Sequence, residues 1–335
     1  METILLSNTP EKIYSVYSEN ILNEFSLHTK IDTSKCYCKD YITMNPFEFK
    51  DTKYILSTWG MPFFSKEEIS LYFPSLEHIF YAAGSVQNFA RPFMDCSVYV
   101  HSAYMANAVP VAEYTVSQII LANKCFFQNT YYQSNGMLNE AISIKKHIKG
   151  TYGCNIGIIG AGAIGTKVIN MLNESYNVNI FVYDPFLNDN KAELLNVKKV
   201  NLHDIFTNCN VISNHLANNE QTKQMIDYDC FSLMGSYTTF INTGRGAQVV
   251  ENDLIRALIE DSSRCAVLDV TDPEPPVSES KLYKIPNVYL TSHIAGSMGD
   301  ELYRMSKYML EEFISTKTDQ NFKHLITYSM LKTMA

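Results

Sequence analysis

Ile156-Gly157-Ile158-Ile159-Gly160-Ala161-Gly162-Ala163-Ile164-Gly165 is the stretch that decides how this chain folds. An apolar run ending in Gly-x-Gly-x-x-Gly predicts a buried strand entering a tight turn, and Thr166–Leu172 continues as a helix. The three glycines have separate mechanical reasons. One makes the turn, one lets the backbone approach an anion, and one lets the helix pack closely on the strand. The helix N-terminus then offers unpaired N–H groups to that anion. An acid stands 19 residues beyond Gly165, at Asp184, closing the run Phe181-Val182-Tyr183. Its carboxylate can accept from a ribose 2′-hydroxyl, so strand, loop, helix and acid together predict a dinucleotide site. The same carboxylate repels a 2′-phosphate. No Arg lies in Asp184–Asn190 and Lys191 is the nearest cation, so NAD is expected rather than NADP.

Outward from this motif the pattern is regular. Cys154–Ile159, Asn179–Tyr183, Asn210–Asn214, Thr238–Asn242, Cys265–Val270 and Val288–Thr291 are short apolar runs separated by helical stretches or loops. Strands alternating with helices imply right-handed crossovers and a parallel sheet covered on both faces. Before the motif, Thr3–Ser7, Tyr54–Thr58, Ile79–Ala83 and Val98–His101 read as further strands. Ala106 to Gln133 reads as one long helix with Pro110 in its first turn, and Met298–Thr316 as the last helix. The expected fold is α/β: two domains, each an open parallel sheet with flanking helices, the second a Rossmann dinucleotide-binding domain, with a functional cleft between them.

Composition agrees with this and excludes other classes. The 335 residues suffice for two domains and an unstapled core, and 46% apolar with 19% charged residues excludes disorder. Net charge is −8 with no basic block, so no nucleic-acid partner is expected. The longest stretch without Asp, Glu, Lys or Arg, Cys96 to Ala112, is broken by His101, Asn107 and Pro110 and does not suit a membrane span. Met1 to Pro10 lacks the pattern of a signal peptide, and no regulatory domain is expected after residue 335. Eight cysteines, at 36, 38, 96, 125, 154, 209, 230 and 265, show no zinc-ligand spacing. Most read as small core residues, with reactive thiols left open for the rest, in a reducing cytoplasm, and no metal is expected.

Three further residues sit at or just past the ends of later strands: Arg245, Glu274 and His293. In open α/β sheets ligands bind at the carboxyl edge, so the three can converge. A guanidinium fork suits a carboxylate and can polarise the adjacent carbonyl. An imidazole moves protons near neutrality, and a carboxylate beside it orients the ring and stabilises its charged form. Singly, a loop Arg is usually solvated and a Glu between prolines is usually a surface acid. Their joint placement behind the glycine motif carries the reading.

At these residues the chain resembles the D-isomer-specific 2-hydroxyacid dehydrogenase family. The resemblance runs through Gly157–Gly165, Tyr183-Asp184-Pro185, Asn242-Thr243-Gly244-Arg245-Gly246, Leu268-Asp269-Val270 to Glu274-Pro275, and Ser292-His293-Ile294-Ala295-Gly296. Gly84-Ser85-Val86-Gln87-Asn88 looks like the family's substrate loop, and Asn107 to Glu113 like the start of its interdomain helix. The resemblance implies an NAD-dependent enzyme passing hydride between NAD(H) and a small D-2-hydroxy acid or 2-oxo acid. Arg245 would bind the acid and His293 would be the acid/base with Glu274 as its partner. The backbone at Ser85 and Val86 would hold the substrate carboxylate. Gly160, Gly162, Ala163, Ile164 and Gly165 would lie at the pyrophosphate, Asp184 at the ribose, and Leu216, Thr243, Gly244 and Asp269 at the nicotinamide. Residues 1–105 with 299–335 would form the substrate domain and 106–298 the NAD domain, through which the family usually forms homodimers.

The chain departs from the family's pattern at Ser292, Ala217 and Gln87, where Pro, Pro and an acid are common. Two rivals stay open at this level: formate dehydrogenation on the same scaffold, and a non-catalytic NAD-sensing protein of corepressor type. Relatives that oxidise formate carry Gln where Glu274 stands.

Overall fold

Short apolar runs become central strands here because both faces of a parallel sheet are covered. The computed structural model describes residues 2–318 and 321–334; residues 1, 319, 320 and 335, which the expected first domain takes in, lie outside them. Among the described residues, β1 (Thr3–Leu6), β2 (Ile31–Tyr37), β3 (Tyr54–Ser57), β4 (His78–Tyr81) and β5 (Tyr99–Ser102) make one parallel sheet in the order β2-β1-β3-β4-β5. β1, β3 and β4 are buried throughout. β2 has no apolar run to announce it: Ile31-Asp32-Thr33-Ser34-Lys35-Cys36-Tyr37 buries only Tyr37 fully, as suits an edge strand. At the other edge, Leu325 bridges His101 antiparallel. The Leu302–Ser315 helix packs Met305, Met309 and Phe313 into the cluster of Leu5, Phe25 and Phe80.

The second sheet is β6 (Asn155–Ile159), β7 (Asn179–Tyr183), β8 (Lys198–Lys199), β9 (Val211–Asn214), β10 (Thr239–Asn242), β11 (Cys265–Leu268) and β12 (Val288–Leu290), in the order β12-β11-β10-β9-β6-β7-β8. β6 lies between β7 and β9, so strand order reverses there, at the doubly wound switch point where dinucleotides bind. β8 escapes the apolar pattern because both its lysines are exposed at the sheet edge.

The expected long helix over 106–133 is corrected to two, Tyr104–Ala122 and Phe126–Ser134. Cys125 between them has φ +49°, a left-handed conformation that stops the first helix without a glycine. Pro110 is not in a first turn. The helix already starts at Tyr104, so Pro110 lies inside it and cannot donate to the Ala106 carbonyl. The last helix is likewise shorter than expected, a 3₁₀ turn Gly299–Glu301 leading into Leu302–Ser315.

The chain divides into two units. One ends at Ala108 and resumes at Ser297, and the other is Val109–Gly296. No helix among the described residues is long and apolar enough to cross a membrane.

Candidate active site

In the second unit the glycine loop follows β6. Gly160 has φ +92°, and a Cβ there would lie 2.7 Å from the His215 carbonyl oxygen. A Cβ on Gly165 would lie 2.0 Å from the Gly160 carbonyl oxygen. Gly162 differs: its Cβ would meet nothing within 4 Å, leaving room for a bound phosphate. The Ala163–Ser175 helix opens here with no side-chain cap, and among the described residues the N–H groups of Gly162, Ala163 and Ile164 reach no protein acceptor. These residues fit a pyrophosphate.

Asp184 follows β7. Its Oδ2 accepts from the Ala161 N–H at 2.7 Å and its Oδ1 from the Phe186 N–H at 2.7 Å. The carboxylate thus helps build the glycine loop, with lone pairs left for a further donor such as a ribose hydroxyl. Lys191 Nζ lies 3.5 Å from the Ala161 carbonyl.

Arg245 follows β10 on a backbone held by three amide side chains. Gln248, fully buried, accepts from the Arg245 N–H (3.1 Å) and Asn214 Nδ2 (2.7 Å) and donates to the Leu216 (2.8 Å) and Ala217 (3.0 Å) carbonyls. Asn242 Oδ1 accepts from the Gly244 N–H (3.0 Å) and Asn214 Nδ2 (3.0 Å), while its Nδ2 donates to the Arg245 carbonyl (3.2 Å). Peptides 244 and 245 are therefore fixed to the Leu216–Ala217 strand exit. Sequence reading gives no role to Gln248 or to either asparagine, although Asn242 opens the Asn242–Gly246 stretch. Gly246 lets this loop approach the next: a Cβ on it would lie 2.0 Å from the Thr271 carbonyl carbon. The Arg245 guanidinium donates to the Gly244 carbonyl at 2.7 Å. Burial pulls it below the usual arginine range and the negative charge of Glu274 opposes that. Thr243 Oγ1 lies 3.2 Å from Thr115 Oγ1 and 3.4 Å from His215 Nδ1. Burial pushes His215 down to about 3, so that ring is neutral.

His293 follows β12 with φ +57°, an uncommon conformation for a non-glycine residue. Asp269, after β11 and 2% exposed, holds that turn. Its Oδ1 accepts from Thr291 Oγ1 (2.6 Å) and the Ile294 N–H (2.8 Å), its Oδ2 from the Ala295 N–H (3.0 Å), and its carbonyl from the His293 N–H (3.0 Å). Most of the acceptor capacity of Asp269 is therefore spent on building the His293 turn. Across from it, Glu274 Oε1 lies 2.7 Å from His293 Nδ1. With Nδ1–H donating to the carboxylate, the outer nitrogen, Nε2, is free to exchange a proton.

The second unit thus brings Gly160–Gly165, Asp184, Leu216, Thr243–Arg245, Asp269, Glu274 and His293 to the carboxyl edge of one sheet. Ser85 and Val86 belong to the first unit, just after β4, and among the described residues their N–H groups reach no acceptor. No group of three or more His, Cys, Asp or Glu among the described residues could hold a metal.

Residues 117–295 match the NAD binding domain of the D-isomer specific 2-hydroxyacid dehydrogenases. The D-3-phosphoglycerate dehydrogenase of Methanocaldococcus jannaschii is 30% identical over 203 residues, 60% of this chain and 37% of that one. The glyoxylate reductase of Korarchaeum cryptofilum is 29% identical over 181 residues, 54% of each chain. The chain spans about two fifths to one half of the length of the curated phosphoglycerate dehydrogenases it matches. Among solved structures, the D-mandelate dehydrogenase of Rhodotorula graminis superposes with a TM-score of 0.81 at 17% identity over 97% of both chains, a likeness of fold.

Proposed function

Because the chain belongs to the D-isomer specific 2-hydroxyacid dehydrogenase family, we propose that it is an NAD-dependent oxidoreductase acting on a small D-2-hydroxy acid or 2-oxo acid. The observation that carries this is the Glu274–His293 pair at 2.7 Å, on the sheet edge that also bears Arg245 and the glycine loop. When bound along Gly160–Gly165 and Asp184, the dinucleotide supplies the hydride acceptor or donor. His293 takes the hydroxyl proton at Nε2 during oxidation and returns it during reduction, while Glu274 holds the ring through Nδ1. Arg245 binds the carboxylate and the carbonyl oxygen, stabilising charge that develops on that oxygen. The backbone amides of Ser85 and Val86 are further donors for the carboxylate. Leu216, Thr243, Gly244 and Asp269 are assigned to the nicotinamide end.

A cytoplasmic homodimer fits two further observations. All eight cysteines are free thiols. Phe126, Leu138, Ile142 and Tyr152 expose large apolar side chains within one segment of the second unit, a surface suited to self-association. The test of the activity is NADH consumption with a panel of 2-oxo acids. Turnover of at least one supports the enzyme, whereas NADH binding without turnover of any would favour a sensor. Elution at twice the chain mass in size exclusion checks the dimer.

A further inference from the structure

β1 and β3 are neighbours in the first sheet although β2 lies between them in sequence, so strand order reverses there too. Open parallel sheets bind ligands outside the carboxyl ends of the strands at such a point. The chain leaving β3, Thr58-Trp59-Gly60-Met61, crosses that edge and is pinned to the chain leaving β1. Ser7 Oγ (3.0 Å) and Thr9 Oγ1 (3.2 Å) donate to the Trp59 carbonyl, and the Asn8 N–H donates to the Gly60 carbonyl (2.8 Å). Trp59 and Met61 after β3, and Tyr104 after β5, are half-buried and pack on one apolar cluster of this unit.

The loop after β4 lies on the same edge and bears the open amides of Ser85 and Val86. The side-chain nitrogen of its next residue, Gln87, is engaged within the unit: Nε2 donates to the Leu331 carbonyl at 2.7 Å and the Met334 carbonyl at 2.9 Å. Both amide hydrogens are thereby used, and the 330–334 turn is held to the loop. Met330 and Met334 pack on the same apolar cluster as Trp59, Met61 and Tyr104. An acid at position 87 would have no hydrogen to donate and would repel both carbonyls.

We propose that the first unit selects 2-oxo acids with a branched aliphatic or aromatic side chain. Trp59, Met61, Tyr104 and Met334 form the apolar wall for that side chain, and Gln87 is the positioning residue that keeps the 330–334 turn on the loop. The proposal rests on the oxidoreductase reading for the reaction, but not for the binding, because Trp59 is the chain's only tryptophan and reports on its own surroundings.

The experiment pairs two readouts. Reductive kcat/KM is measured for 4-methyl-2-oxopentanoate, phenylpyruvate and glyoxylate, and Trp59 emission is titrated with 4-methyl-2-oxopentanoate and glyoxylate. The two larger acids should exceed glyoxylate by at least about tenfold in kcat/KM, since the added apolar carbons leave water on binding. Trp59 emission should change saturably with 4-methyl-2-oxopentanoate only. Gln87→Glu and Gln87→Met, the second lacking donors without adding charge, should raise KM for the large acids by about tenfold with kcat within about twofold, and raise it less for glyoxylate. Turnover with glyoxylate equal to or better than the larger acids overturns the selection while leaving the oxidoreductase reading intact. No turnover with a saturable Trp59 response keeps the selection and removes the oxidoreductase reading. No turnover and a silent Trp59 overturns the selection as well. Unchanged KM in both folded Gln87 variants overturns the positioning role.

Discussion

His293 Nδ1 and Glu274 Oε1 meet at 2.7 Å although 19 residues separate them, and each is a little under half exposed. Reduction of an oxo acid starts from the protonated ring and oxidation from the neutral one. Glu274→Gln keeps the shape and removes the charge, so the protonated ring is less stable. Reductive kcat/KM in the variant should fall by at least about tenfold, because the carboxylate that balances the charge of the protonated ring is gone. Oxidative kcat/KM should fall as well, since the same ring charge forms when the hydroxyl proton is taken. Rates within about twofold of the parent in both directions would sink the pairing.

Arg245 has its backbone fixed at the N–H and the carbonyl, so a change of side chain tests the guanidinium alone. Arg245→Lys keeps one charge and loses the planar fork. KM for the oxo acid should rise and kcat fall, together lowering kcat/KM by at least about 100-fold, with NADH affinity within about twofold. A loss of less than about twofold in kcat/KM would exclude a role at the transition state.

Asp184 accepts from the Ala161 N–H of the glycine loop besides the ribose role proposed for it, so its removal should reach further than cofactor choice. The parent should prefer NADH to NADPH by at least about tenfold in kcat/KM. Asp184→Ala should narrow that gap mainly by weakening NADH, since the Ala161 N–H loses its acceptor and the ribose loses its partner. Fluorescence titration of both cofactors gives the numbers. Equal use of both by the parent would refute the ribose assignment.

Gln248 ties the Arg245 loop to the exit of β9 through four hydrogen bonds. Gln248→Leu leaves the Leu216 carbonyl and the Arg245 N–H without their buried partner, while the Ala217 carbonyl keeps Thr222 Oγ1 and Asn214 Nδ2 keeps Asn242 Oδ1. Urea unfolding should show a loss of about 2–4 kcal/mol. Gln248→Glu keeps the acceptors and loses the donors, and should fall between parent and leucine variant.

Acid should destabilise the first unit through its buried histidines. His78 Nδ1 lies 3.0 Å from His101 Nε2, and His101 Nδ1 lies 2.7 Å from Glu312 Oε2. Burial pushes His78 down to about 4, and it lowers His101 and His324 as well, although Glu312 draws both upward. In the second unit burial alone pushes His215 down to about 3. The folded values lie below the unfolded value of about 6.5, so below that pH the unfolded chain binds more protons. The stability these groups contribute is complete above pH ~6.5 and is lost as pH falls through the window down to about 4 for His78. Each group adds a slope of at most roughly 1.4 kcal/mol per pH unit. Urea midpoints should be flat from pH 7 to 8 and drop between pH 6 and 4.5, and His78→Gln should reduce that drop. An unchanged slope in the variant would remove His78 from the account.

What was legible in the sequence follows from what forced the residue choice. Gly160 and Gly165 stand where any Cβ would strike a carbonyl, so the dinucleotide loop could be read letter by letter. Central strands such as Ile156–Ile159 and Thr239–Asn242 bury both faces and write continuous apolar runs. β2 and β8 lie at edges, where solvent removes that pressure, and neither was visible. The break at Cys125 was hidden because the left-handed residue is a cysteine rather than a glycine. Arg245, Glu274 and His293 are legible at strand ends, whereas Gln248, Asn214 and Asn242 act through one another and through backbone groups that only the fold brings together. The family resemblance assigns Asp269 to a ligand, whereas its bonds to the His293 turn depend on the partner loop being folded.

The insertion of Val109–Gly296 into the other unit has a consequence for synthesis on the ribosome. When β5 emerges, the apolar face of Leu5, Phe25 and Phe80 still lacks Met305, Met309 and Phe313, and His101 lacks Glu312 and the strand-like pairing of Leu325. The whole second unit must be translated before those partners exist, and it has all of its own sheet in one continuous piece. A nascent chain therefore carries an uncovered sheet through most of its translation, the state in which chaperones bind and aggregation begins. The part of the molecule made first is the part completed last.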